Sequence, residues 1–209
     1  MTTLAVLSPV LAAFGLGIGL ASAPGPVQVV LVTESIRGGI GRGVRALAGA
    51  HLTFVVLLLG LGLGVSLAPP SGLLLRALEV AGGVFLVGLA LDGLRSGHRA
   101  RPPTEGPPRL PAAVRGALAI LLNPGGWVFL AAVASPLLAT ASRLGGAAGS
   151  EAAALALVLG AALGDAAVVV LGGGGLRRVG ERRRLWVLRA LAVLLAALGG
   201  ALVVRGVAG

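Results

Sequence analysis

Ala23-Pro24-Gly25-Pro26 interrupts an apolar run from Leu4 to Thr33, and Leu122-Asn123-Pro124-Gly125-Gly126 interrupts a second run one hundred residues later. Proline has no N–H and clashes with the preceding turn, so a helix cannot pass either place unbroken. At membrane depth each break frees backbone polar groups that need protein, water or a ligand as partners. Interrupted apolar segments in corresponding halves of a chain are the pattern that builds mid-membrane substrate sites in secondary transporters.

The membrane setting follows from composition. Of 209 residues, 56% are hydrophobic and 11% charged, and the mean hydropathy of +1.01 exceeds what one soluble domain needs for its core. A helix crossing the ~30 Å hydrocarbon layer needs about 20 residues. Six stretches meet this, roughly 4–33, 46–68, 72–94, 113–139, 152–175 and 185–207, and almost nothing remains for a soluble domain. The net charge of +10 is a topological signal and not a nucleic-acid footprint, because the arginines lie between the apolar runs and form no aromatic-interleaved face. Fourteen of the 17 arginines fall in the three odd-numbered loops. By the positive-inside rule those loops are expected in the cytoplasm and both termini outside.

With no cysteine, disulfides, thiol redox chemistry and cysteine metal sites are excluded. Ala21-Ser22-Ala23 mimics a signal-peptidase site, but Met1-Thr2-Thr3 carries no basic residue, so the first run reads as retained. Arginine without lysine, beside abundant Ala and Gly, points to GC-rich coding and to a bacterial cytoplasmic membrane.

Arg76-Ala77-Leu78-Glu79-Val80 in run three matches Arg189-Ala190-Leu191-Ala192-Val193 in run six, and Gly49-Ala50-His51 in run two parallels Gly164-Asp165-Ala166 in run five. With the breaks pairing runs one and four, the expected fold is all-α: six transmembrane helices as two inverted three-helix repeats, helices one and four broken at Pro/Gly. Residues 1–94 form the first repeat, 95–112 an Arg/Pro/Gly-rich cytoplasmic linker, and 113–209 the second. The 36 glycines suit close helix approach in lipid, Gly160 through Gly164 forming one such face, and a homo-oligomer is compatible with them. Trp186 beside Arg182 to Arg184 reads as an interfacial anchor.

Ionisable side chains at the bilayer centre cost about 2.5–3.5 kcal/mol each on insertion scales and usually face a bundle interior or cavity. Asp165 is the foremost candidate, 14 residues past Glu151 and 12 before Arg177. His51 occupies the comparable place in the first copy and could pair with it to carry a proton; a packed neutral imidazole is the alternative. Gln28 and Asn123 flank the breaks and suit freed backbone groups or a ligand carboxylate. Trp127, directly after the second break, suits either stacking on a substrate or packing. Glu79 is expected to pair with Arg76 one turn away, and Glu34 to be a solvated interfacial charge.

On these residues the chain resembles the LysE/RhtB family of bacterial amino-acid exporters over nearly its full length. The likeness rests on six runs in about 200 residues, Pro24-Gly25-Pro26 followed by the basic turn at Arg37-Gly38-Gly39, Asn123-Pro124 in the fourth run, and the glycines 82, 83, 88 and 93 of the third. The resemblance implies gradient-driven or exchange-driven export of amino acids from the cytoplasm. Family members commonly carry Asn after Pro-Gly-Pro and Lys after Asn-Pro, where this chain has Val27 and Gly125.

The expected protein is therefore a bilayer-embedded amino-acid exporter with no enzymatic activity, cofactor, metal site or nucleic-acid partner, its coupling ion unassigned. Pro24, Gly25, Pro26, Gln28, Asn123, Pro124, Gly125 and Trp127 are its candidate gate and substrate frame, with Asp165 and His51 as the charge-carrying pair. Two rivals stand beside it: a cation exporter, which has only Asp165 and His51 as interior ligands where such ions want four or more, and a membrane assembly or lipid-handling protein whose breaks merely bend helices.

Overall fold

A computed structural model describes residues 3–23, 25–62, 72–98, 110–176 and 180–208. Pro24, most of the 95–112 linker, and Arg99, Arg101, Arg109, Arg177 and Arg178 lie outside the described residues. The helices are α1 (Thr3–Ser22), α2 (Pro26–Gly38), α3 (Ile40–Gly62), α4 (Gly72–His98), α5 (Ala112–Leu121), α6 (Pro124–Phe129), α7 (Ser135–Val170) and α8 (Glu181–Ala208). Two π-helical segments, Leu130–Ala134 and Leu171–Leu176, flank α7. Among the described residues there is no strand.

Both breaks form where the sequence demands them, and each starts a new helix with proline in its first turn. Pro26 opens α2 behind the extended Gly25, and Pro124 opens α6 behind Asn123. Proline suits a first helical turn because the N–H it lacks would find no intrahelical partner there. The α1/α2 junction bends by 64°. At its far end α2 stops on Gly39, whose φ of 78° is left-handed and whose N–H bonds Ser35 O at 2.8 Å, so α3 begins one residue later. Helix one thus reaches Gly38 and helix two starts at Ile40, beyond the apolar runs, because a single glycine makes the turn.

By length and composition, four helical stretches can cross a membrane: Ile40–Gly60, Gly72–Asp92, Pro124–Gly175 and Glu181–Ala208. The bent α1/α2 pair makes a fifth. Runs four and five, expected as separate helices, form one 52-residue stretch interrupted at Gly146, where φ is 64°. Leu138 and Ala141 before Gly146 share a buried cluster with Ala153, Ala156 and Leu157 after it.

Helices meet through glycine. A Cβ built on Gly49 of α3 would overlap the carbonyl oxygen of Ala113, and one on Gly116 of α5 the carbonyl oxygen of Ala46. The α1/α7 crossing is built the same way, Gly17 against Leu157 O and Gly160 against Phe14 O. In α4 and α8, Gly83 and Gly199 each face the other's carbonyl oxygen, while Gly206 meets Arg76 O, so these two helices run antiparallel. That sets the Arg182 and Arg183 end of α8 beside the Asp92 end of α4. Outward faces are apolar, as with Leu52 at 68% and Leu73 at 81% exposure, which is the surface a bilayer solvates. Trp186 is exposed near those arginines, as an interfacial anchor would be.

Gly49→Ala should lower the melting temperature of the detergent-purified protein by the equivalent of about 1–3 kcal/mol, the usual cost of overpacking. Gly60→Ala on the same helix, whose Cβ would meet nothing within 4 Å, should leave it unchanged or raise it. Equal effects would contradict the α3/α5 crossing.

Candidate functional site: a cavity between two broken helices

Two buried clusters form the core. One joins Val30 and Leu31 of α2 with Ala50 of α3 and Ala119 of α5; the other joins Ala13 of α1 with Phe54 of α3 and Leu157 of α7. Between them lies a cavity of about 150 Å³, bounded by the end of α1, the start of α2, α3, the α5/α6 break and α7. Of the residues singled out from the sequence, Gly25, Gln28, His51, Asn123, Trp127 and Asp165 line it. Pro26, Pro124 and Gly125 sit at the adjoining helix starts without lining it, and Pro24 is outside the described residues.

Asp165 is 5% exposed, on the face of α7 that also carries the buried Ala153, Leu157 and Ala161. His51 Nε2 lies 3.1 Å from Asp165 Oδ2. Gln28 Nε2 donates to Oδ1 at 3.4 Å, a long and therefore weak bond. The pair joins α3 and α7, and Gln28 adds α2. His51 Nδ1 is buried and has no hydrogen-bond partner among the described residues, so one nitrogen of the imidazole is committed there and one is not.

The second break satisfies its own backbone. Asn123 Oδ1 accepts from the Gly125 N–H at 3.1 Å, and the Asn123 carbonyl accepts from Gly126 and Trp127. This is an N-cap in the ordinary sense. The Trp127 Nε1–H donates to the Leu121 carbonyl at 2.8 Å, covering an acceptor freed at the end of α5. Trp127 therefore closes the break with its indole N–H and contributes its ring to the cavity wall.

Sequence reasoning missed a second charged assembly. Glu34 is 1% exposed and bridges Arg42 and Arg115. Arg115, 3% exposed, also reaches Asp92 at 2.9 Å, and Arg37 holds Asp92 at 3.0 Å. The Arg115 Nε–H donates to the Leu110 carbonyl. Three arginines and two acids thus tie α2, α3, α4 and α5 together at the arginine-rich end. Glu34 is not a solvated charge: Val27, Val30, Leu31 and Glu34 follow helical spacing on one buried face, and that spacing was the available signal. Glu79 is likewise corrected, since it is buried against Arg205 of α8 at 3.3 Å and not paired along its own helix with Arg76.

Family comparison adds the class. The chain matches the family model for LysE type translocator proteins over residues 18–206, which takes in the whole cavity lining. It belongs to the LysE type translocator family. No curated protein and no solved structure matches it. This translocator is thus a multi-pass membrane protein of a transporter family. Among its described residues, no group of three or more His, Cys, Asp or Glu side chains gathers as a metal site.

Arg115→Met should be clearly destabilising, because it takes one cation from each of two acids at once and leaves the buried Glu34 with Arg42 alone and Asp92 with Arg37 alone. Arg37→Met should cost clearly less, since Asp92 is half-exposed and keeps Arg115. Thermal melts of both variants in one detergent check the order; equal shifts would contradict the bridging role of Arg115.

Proposed function

We propose that the protein is a secondary transporter exporting amino acids or close derivatives from the cytoplasm, with the cavity as its binding site. The observation that carries this reading is convergence. Two breaks a hundred residues apart, an interior carboxylate and its histidine all face one small cavity within a translocator fold.

Asp165 is the acceptor for the substrate ammonium: an ionised carboxylate offers about four lone-pair sites, and two protein contacts leave the rest to a ligand. The substrate carboxylate is drawn to the start of α2, the positive end of a 13-residue helix. Gly25 there is extended, at φ −159°, a conformation open to any residue, so its lack of a side chain serves space at the cavity. His51 and Asp165 form the charge-coupling pair. The imidazole contacts the same carboxylate that the substrate ammonium would meet.

The geometry also supports the six-span inverted-repeat plan. Gly116 follows Gly17 by 99 residues and Gly160 follows Gly49 by 111, and the crossings they make are of the same kind. Pro124–Gly175 would extend about 78 Å if straight, against a hydrocarbon layer of ~30 Å, so a turn at Gly146 makes two spans of it. In that plan the arginine-rich end is cytoplasmic, both termini are outside, and the Glu34–Arg115–Asp92 network closes the cytoplasmic side of the cavity.

Proteoliposomes holding the purified protein should show amino-acid counterflow. Asp165→Asn and Gly25→Leu, at matched insertion, should each reduce it by about tenfold or more, the scale of one lost charge-assisted contact. Parental rates in both variants would rule this site out, and uptake of divalent cations without amino-acid exchange would rule out the substrate class.

A further inference from the structure

We infer that the cavity selects neutral amino acids with an apolar side chain over charged and strongly polar ones. This rests on the transport reading above and goes beyond it by naming the substrate class.

The first support is charge. Among the described residues lining the cavity, only Asp165 and His51 are ionisable, and the chain contains no lysine. Arg115 is committed to Glu34 and Asp92. A substrate with an acidic side chain would bury a second carboxylate where no cation faces it. One with a basic side chain would bring two cations to a single carboxylate, leaving one of them unpaired in an apolar surround. A plain zwitterion leaves neither surplus: its ammonium meets Asp165 and its carboxylate the start of α2.

The second support is the wall. Phe54, Leu57, Phe129 and Leu130 present only carbon to the cavity. Of the polar groups beside them, the Trp127 indole N–H donates to Leu121 O, Asn123 Oδ1 accepts from the Gly125 N–H, and the Gln28 amide nitrogen donates to Asp165. A hydroxyl or amide laid against the carbon wall would leave water without gaining a partner, and burying a polar group unpaired is unfavourable. An aliphatic or phenyl side chain gains contact instead.

The third support is size. A volume of about 150 Å³ in an apolar-lined cavity is enough to hold a benzene-sized group. An aliphatic or phenyl side chain uses that space, whereas glycine would leave it unfilled.

The test is competition against leucine counterflow in proteoliposomes of the full chain, with methionine, phenylalanine, serine, glutamine, glutamate, arginine and tryptophan as competitors. Methionine and phenylalanine should compete at least about tenfold more strongly than glutamate, arginine or glutamine, the discrimination a pocket reaches through mismatched groups. If amino acids exchange but arginine, glutamate or glutamine competes as well as methionine, the selectivity is overturned and the transport reading stands. If no amino acid exchanges at all, the transport reading fails and this inference with it. Phe129→Ala, or Leu57→Ala if the first does not insert, should raise the tryptophan-to-leucine competition ratio about fivefold. An unchanged ratio would place selectivity elsewhere.

Discussion

Contact between helix backbones at glycine is the constraint on which the rest of this protein depends. Lipid tails are as apolar as leucine, so burying leucine between helices gains little, and association has to come from close approach and hydrogen bonding. Gly49 with Gly116 and Gly17 with Gly160 let α3 meet α5 and α1 meet α7 at distances where a single methyl would collide with a carbonyl oxygen. These two crossings flank the cavity. Ala50 follows Gly49 into its wall, and Ala161 follows Gly160, so the residues that fix helix approach also fix the position of His51 and Asp165. The 3.1 Å contact between His51 and Asp165 joins the two helices, α3 and α7, that these crossings seat.

The two breaks solve the same backbone problem in different ways, and the difference bears on function. At Asn123 the side chain and carbonyl cap the following helix, and Trp127 caps the preceding one, so this break is closed by its own residues. At Gly25 no side chain caps α2, and the Val29 N–H bonds the Gly25 carbonyl. The polar partner there is Gln28, which faces Asp165 in preference to its own helix end. This chain carries valine where family resemblance leads one to expect asparagine after Pro-Gly-Pro, and the polar side chain one position on, Gln28, bonds Asp165.

Much of the site was legible in the sequence because its determinants are local and chemically rare. Proline breaks are visible wherever they fall, and an aspartate or histidine stands out in a run of Ala, Leu and Gly. What remained hidden was relational. Glu34 and Arg115 are 81 residues apart, and only the α2, α3 and α5 packing shows that they neutralise one another. Arg205 and Glu79 meet for the same reason, through the antiparallel α4/α8 pair. The aromatic wall of Phe54 and Phe129 carried no signal beyond ordinary core spacing.

Charge is buried at two levels, and the two are satisfied to different degrees. At the arginine-rich end, Glu34 and Asp92 share three arginines, with Arg115 also bound to a backbone carbonyl. Such a network recovers much of its desolvation cost through several short contacts and holds four helices in one arrangement. At the cavity, Asp165 has one histidine and one long amide bond, in a wall that is otherwise mostly carbon. A carboxylate left in that condition has more hydrogen-bonding capacity to spare than one already enclosed by guanidinium groups. The network thus has several short contacts per acid and the Asp165 pair has few, a contrast in partner count and distance within one apolar bundle that holds without reference to family.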